Sequence, residues 1–159
     1  MCMETQANTS KIIGTYGYMA PEYVKHGYFS EKSDVFSFGV VVLEILSSKK
    51  NHAFNESEIG GSQDLLSYAW RLWKNETPLE FLDPTLRQCY VMSEVMISIR
   101  VGLLCVQPYT TDRPTMASII AMLKRKSDML PLPSAPAYFT TDQMSLKLAP
   151  WSAKWCINQ

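Results

Sequence analysis

Apolar residues along this chain gather into stretches divided by polar, glycine- and proline-bearing breaks, and the spacing within the stretches predicts helices. The longest runs Val35-Phe36-Ser37-Phe38-Gly39-Val40-Val41-Val42-Leu43-Glu44-Ile45-Leu46 and carries apolar side chains on every face. A helix that is hydrophobic all round must be surrounded by protein, which makes it the central core helix. Ser30 or Ser33 can cap its N-terminus, and Lys49 and Lys50 follow its C-terminal end, where the helix dipole favours cations. A buried strand fits less well, because the run is too long and contains Glu44.

Around it, residues 20–25 predict a short helix with Pro21 in the first turn, where a missing N–H costs little, ended by His26 and Gly27. A third helix starts after Asp64, a capping residue, and sets Leu65, Leu66, Ala69, Trp70 and Trp73 on one stripe before ending near Asn75. A fourth, over 93–106, places Val95, Met96, Ile99, Leu103 and Val106 at helical spacing, and Gln107-Pro108-Tyr109 stops it. The last, over 115–126, turns Met116, Ile119, Ile120 and Leu123 inward and ends on Lys124-Arg125-Lys126. Residues 1–18 and 47–63 read as loops, and no strand is predicted anywhere. Beyond Ser127 the run Leu130-Pro131-Leu132-Pro133-Ser134-Ala135-Pro136 favours extended polyproline II, in a tail that either lies along the domain or is disordered. Trp151 and Trp155 of this tail could dock on an apolar surface. The expected fold class is all-α.

Composition narrows the function. At 159 residues and 47% hydrophobic, the chain has the size of one domain with a core, plus a tail. Fifteen basic residues balance fifteen acidic ones, so no global field draws nucleic acid or an anionic membrane. Cys2, Cys89, Cys105 and Cys156 are scattered without a C-x-x-C pair, which argues against a zinc site and a disulfide frame and points to a reduced, intracellular setting. Sequons at Asn8, Asn55 and Asn75 are then accidental. No apolar run approaches the ~18 residues of a membrane span, and the first ten residues lack the order of a signal peptide. The expectation is a soluble, cytoplasmic chain.

Candidate chemistry is concentrated near the start. Gly14-Thr15-Tyr16-Gly17-Tyr18-Met19-Ala20-Pro21-Glu22 matches the end of a protein-kinase activation segment, closing on Ala-Pro-Glu. Lys32-Ser33-Asp34-Val35-Phe36-Ser37-Phe38-Gly39-Val40, Gly102-Leu103-Leu104-Cys105-Val106-Gln107 and Asp112-Arg113-Pro114-Thr115-Met116 follow in family order. Together they resemble the helical C-terminal lobe of plant receptor-like Ser/Thr protein kinases of the cysteine-rich or S-locus type. The resemblance covers residues 5–126 and divides the chain into an activation-segment remnant at 1–18, C-lobe helices at 19–126 and a proline-containing tail at 127–159, expected to be flexible.

The resemblance also implies roles. Glu22 is expected to form a buried ion pair with Arg113, although either could be an ordinary surface charge. Asp34 resembles the aspartate that anchors the catalytic loop from below; without that loop it is a charge favouring the helix dipole. Thr15 and Gly17 fall where relatives shape the pocket for the residue after the phosphorylated one, and Thr15 suits Ser/Thr specificity; otherwise they form a glycine-bearing turn. Thr5, Thr9 and Ser10 occupy the stretch that carries regulatory phosphosites. A phosphate there orders a loop only where arginines receive it, so a solvated polar loop is the plainer description.

No Gly-rich loop, strand lysine, catalytic-loop aspartate and asparagine, or Asp-Phe-Gly occurs in the chain, and phosphoryl transfer rests on those groups with Mg²⁺. No residue is therefore expected to be catalytic or to bind cofactor or metal, while the complete kinase would use ATP and Mg²⁺. The core helix is expected to leave large side chains wet, at about 1.5 to 3 kcal/mol each, and the product to be marginal or partner-dependent. Two functions remain open: part of a membrane-anchored kinase working on the cytoplasmic side of the plasma membrane, or a non-catalytic module that engages a kinase or its regulator through an exposed apolar face.

Overall fold

The computed structural model describes residues 6–51, 64–86, 90–124 and 130–139. In chain order the elements are β1 (Ala7–Asn8), a 3-10 turn (Tyr16–Tyr18), α1 (Pro21–His26), β2 (Tyr28–Phe29), α2 (Glu31–Ser47), α3 (Leu65–Lys74), a second 3-10 turn (Pro78–Phe81), α4 (Met92–Cys105), a third (Thr110–Asp112) and α5 (Met116–Lys124). The architecture is helical, as the periodicity predicts, with α2 at its centre and α4 as the main partner of α2.

Local chemistry sets the helix limits. Ser30 and Ser33 act together at the start of α2: the Ser30 hydroxyl accepts from the Lys32 N–H at 3.2 Å, and the Ser33 hydroxyl accepts from the Ser30 N–H at 3.2 Å, a reciprocal cap. Asp64 caps α3, its Oδ1 accepting from the Ser67 N–H at 2.8 Å. At α5, the Thr115 hydroxyl accepts from the Ser118 N–H at 3.2 Å. α1 includes His26 and ends on Gly27, whose φ of 70° lies in the left-handed region and whose added Cβ would stand 2.0 Å from the Thr9 carbonyl oxygen.

That close approach accompanies a feature periodicity did not predict. Thr9 N–H donates to Gly27 O at 3.0 Å, and beside it Ala7 pairs with Phe29 and Asn8 with Tyr28, antiparallel. Two-residue strands are too short to show alternation. The expectation of no strand is corrected by this pair, and the fold class stands.

The core has two parts. The larger joins Phe36, Val40 and Leu43 of α2 to Leu65, Leu66, Ala69 and Leu72 of α3, Phe81, Leu82, and Ile99 and Leu103 of α4. The smaller joins Val35, Val101, Cys105 and Ile119. Trp70 and Trp73 are half-buried at the margins of α3, and Leu72 lies deeper than either. On α5 only Ile119 is buried, whereas Met116, Ile120 and Leu123 are exposed, which corrects the inward stripe expected there. The helix meets α4 along a narrow seam, and no described element faces its other side. On α2, Val41 and Ile45 are exposed, the latter at 65%, so this helix leaves apolar area wet as its all-round hydrophobicity foreshadows.

Two glycines let α2 and α4 touch. A Cβ at Gly39 would lie 2.5 Å from Cys105 Cβ and 3.0 Å from the Gly102 carbonyl, while one at Gly102 would meet the Leu43 side chain at 2.8 Å. Alanine gains up to about 1 kcal/mol of helix propensity over glycine. Overpacking against backbone-fixed atoms costs about 1 to 3 kcal/mol, so Gly39→Ala is expected to lower the urea midpoint. Gly102→Ala presses on a side chain that can turn aside, and its midpoint is expected to fall less; equal effects would show that the helices separate freely.

Candidate functional site

The site is built where residues 14–22 meet the start of α2 and the loop before α5. Arg113 lies in that loop, fully buried, and faces Glu22 at the start of α1, 91 residues away in sequence. Its Nη1 donates to Glu22 Oε1 at 2.8 Å and to Lys32 O at 2.9 Å. Its Nη2 donates to Glu22 Oε2 at 2.8 Å and to Pro108 O at 3.3 Å, and Nε donates to Gln107 O at 2.8 Å. All five N–H groups of the guanidinium therefore have acceptors. The Phe36 ring lies under it, 5.1 Å from centroid to Cζ, and Lys32 Nζ donates to the Arg113 carbonyl.

Glu22 is held as firmly. The Ser33 hydroxyl donates to its Oε1 at 2.8 Å, adding a third contact from α2. Burial alone would raise the Glu22 carboxyl, but the hydrogen bonds and charge of Arg113, with backbone and Ser33 donors, outweigh it and leave the pKa lowered.

Tyr18 is tied to the same face of α2 as Glu22, about one and three turns beyond Ser33. The Tyr18 hydroxyl donates to the Glu44 carboxylate at 2.8 Å, and the Ser37 hydroxyl donates to Tyr18 O at 2.7 Å. Glu44 also accepts from Asn51 N–H at 2.6 Å, and Asn51 Nδ2 donates to Gly17 O at 2.6 Å. The Glu44 carboxylate, as acceptor and as a nearby negative charge, raises the Tyr18 hydroxyl, and burial adds to the shift. Farther back, the Tyr23 hydroxyl both accepts from Ile13 N–H and donates to Ile13 O at 3.1 Å.

Between these ties lies an open cleft of about 580 Å³, bordered by Thr9, Lys11, Thr15, Tyr18, Ser33, Asp34 and Ser37. The structure brings Thr15 and Asp34 to this one cleft, with Thr9 at its rim. Gly17 turns away toward Asn51. Ser10 is exposed on the loop before it, and Thr5 lies outside the described residues. Sequence reasoning missed Tyr18, Glu44 and Asn51. The available signal was Glu44 itself, a carboxylate set in an otherwise apolar helix, which needs a partner when half-buried.

The cleft offers a single carboxylate, Asp34, and a single lysine, Lys11, and among the described residues no group of three or more His, Cys, Asp or Glu could hold an ion. Cys105 offers no nucleophile either: burial pushes its thiol up to about 12, against the opposing pull of Arg113. Among the described residues no helix is long and apolar enough to cross a membrane.

The site thus belongs to a helical lobe whose Ala-Pro-Glu segment is paired with a distant arginine. The family model described as protein kinase domain matches residues 2–123, so the chain belongs to the protein kinase family. It is 53% identical over 136 residues to cysteine-rich receptor-like protein kinase 8 of Arabidopsis thaliana, and 52% over 136 residues to cysteine-rich receptor-like protein kinase 6 of the same plant. Each match covers 86% of this chain and 20% of the relative. Putative cysteine-rich receptor-like protein kinase 31, also of Arabidopsis thaliana, is 45% identical over 143 residues, 90% of this chain and 21% of that protein. The chain thus spans about a fifth of the length of the curated relatives it matches.

Two outcomes test the site. Arg113→Ala leaves the Glu22 carboxylate half-buried without its counter-charge, and a loss of about 3 to 5 kcal/mol is expected from chemical denaturation; Arg113→Lys, lacking the fork, is expected to recover only part of it. Because the Glu22 pKa is lowered in the folded chain, its contribution is fully present above the unfolded value of about 4.3 and is lost as pH falls through the lowered value. Thermal midpoints are therefore expected to fall more steeply below about pH 4.3 in the parent chain than in Glu22→Gln.

Proposed function

We propose that this chain is the substrate-side helical part of a receptor-like Ser/Thr protein kinase, and that the isolated chain transfers no phosphate. The observation that carries the reading is the double fastening of residues 14–22: Glu22 to Arg113 on one side, Tyr18 to Glu44 on the other. A protein substrate needs a rigid shelf beside its reacting hydroxyl, and fastening at two points supplies rigidity without supplying a catalyst. Thr15 and Gly17 belong to that shelf, and Asp34 is the post on which a catalytic loop would be hung. Residues 1–18 are the end of the activation segment, with Thr5, Thr9 and Ser10 as its candidate phosphosites, 19–126 the helical lobe and 127–159 the tail. In the complete kinase, ATP and Mg²⁺ would supply the phosphoryl group and its charge neutralisation, held by residues other than those of the cleft. The relatives' description as receptor-like supports a place for that kinase on the cytoplasmic side of the plasma membrane.

A second reading is favoured by the exposed Val41 and Ile45 of α2 with Met116, Ile120 and Leu123 of α5: a non-catalytic module that offers apolar surface to a kinase or its regulator. Coding sequence directly upstream of Met1 separates the two, since an in-frame catalytic loop and Asp-Phe-Gly supports the first. For the purified chain, a thermal shift with Mg²⁺ and ATP and a radiolabelled phosphate assay are both expected to be blank. Measurable autophosphorylation overturns the claim of inactivity.

A further inference from the structure

Residues 130–139 cross the domain from α4 to the fastened segment. Arg100 of α4 donates through Nη2 to Leu130 O and through Nε to Pro131 O at 2.9 Å. Gln107 Nε2 donates to Ser134 O at 2.9 Å, and the Ser134 hydroxyl returns a bond to Gln107 Oε1. Ala137 N–H donates to Val106 O at 2.9 Å, and Pro133, Pro136 and Ala137 are buried, the last within the larger core cluster. Then the backbone bends. Tyr138 has a φ of 65°, a left-handed conformation that an aromatic residue adopts only when its surroundings hold it there.

The bend aims the Tyr138 ring back at the site. It meets Phe36 edge-on at 6.4 Å between centroids and Tyr16 at 6.2 Å, and Phe36 is the ring that carries Arg113 on its face. The Tyr138 hydroxyl stands 3.5 Å from Met19 O, too far for more than a weak bond, so the contact is mainly one of ring packing. A flexible tail would not bury two prolines, close both ends of the Gln107 amide and bear a strained residue at its tip.

We infer that residues 130–139 are a strap that sets the position of residues 16–19, with Tyr138 as its positioning residue. Polyproline geometry suits the task, because an extended, pre-stiffened segment spans from α4 to the site at small entropic cost. The strap joins the shelf to Phe36 and the Glu22–Arg113 pair, so freeing it loosens the shelf while the helices stay packed. That this shelf faces a substrate rests on the kinase reading; the strap contact itself does not.

Hydrogen exchange on the full chain tests it. The Tyr18 and Met19 amides, which donate to Thr15 O and Tyr16 O, report the shelf, and the Ile99 and Leu103 amides report the core. Tyr138→Ala is expected to speed exchange at Tyr18 and Met19 about threefold to tenfold relative to the core amides, the loss of one aromatic contact. Tyr138→Phe is expected to restore the parent rates, and Leu132→Ala, at a residue 78% exposed on the same strap, to leave them unchanged. Should the alanine variant unfold, Tyr138→Leu carries the comparison. Unchanged shelf rates, or a rise of equal size in shelf and core, overturns the strap. A chain that shows the shelf effect yet phosphorylates by itself would sink the inactivity claim and leave the strap standing.

Discussion

A guanidinium with no access to water sits where α1, α2 and the turn after α4 meet. Isolated, the Arg113 charge would be prohibitively costly there. It is tolerated because each of its donors finds an oxygen, and those oxygens come from α1, α2 and the turn after α4. The demand works in both directions: burying the cation requires the elements to converge, and their convergence buries the cation. Such a pair is a poor source of net stability compared with apolar packing of the same volume, but it discriminates sharply against misplacement, since any shift leaves a buried charge unmatched. That is a suitable way to fix the position of residues 14–22.

The remaining scaffold is organised by how closely α2 and α4 approach. Glycines at the crossing remove the Cβ atoms that would keep the backbones apart, so Phe36, Val40 and Leu43 can reach into the layer formed by α3 and α4. α2 then becomes a rail with one working edge, because Ser33, Ser37 and Glu44 fall on a single stripe of the helix. Along that edge Ser33 reaches Glu22, and Ser37 and Glu44 reach Tyr18. Val41 and Ile45, beside that edge, find no cover among the described residues, and the same holds for Met116, Ile120 and Leu123 of α5.

How much was readable in advance differed by kind of interaction. Helix positions were legible because capping residues and apolar spacing act within a few residues of each other: Ser30 with Ser33 and Asp64 with Ser67. The partnership of Glu22 with Arg113 was legible only through family resemblance, since nothing local distinguishes a buried arginine from an exposed one. The Tyr18–Glu44–Asn51 cluster was not anticipated, because its members are 26 and 7 residues apart and meet only when the shelf folds back onto α2. The two-residue strands escaped for a related reason, being made by the left-handed turn at Gly27 and not by a pattern in their own side chains.

By itself, then, the amino-acid order determined the helices, the capped starts of α2 and α3, the all-α class and the family likeness, because those depend on chemistry within one or two helical turns. It left open whether the proline-bearing run at 130–136 lies along the domain and what a lone carboxylate in an apolar helix is for, and it buried more of α5 than the structure does. Only the tertiary structure decided these, by bringing Tyr138 to Phe36, α5 to a narrow seam on α4 and Tyr18 to Glu44. The physical reason is that hydrogen-bond and burial demands of single residues are local in type but not in address: sequence reveals that a buried carboxylate or guanidinium needs a partner, and packing alone selects which one it receives.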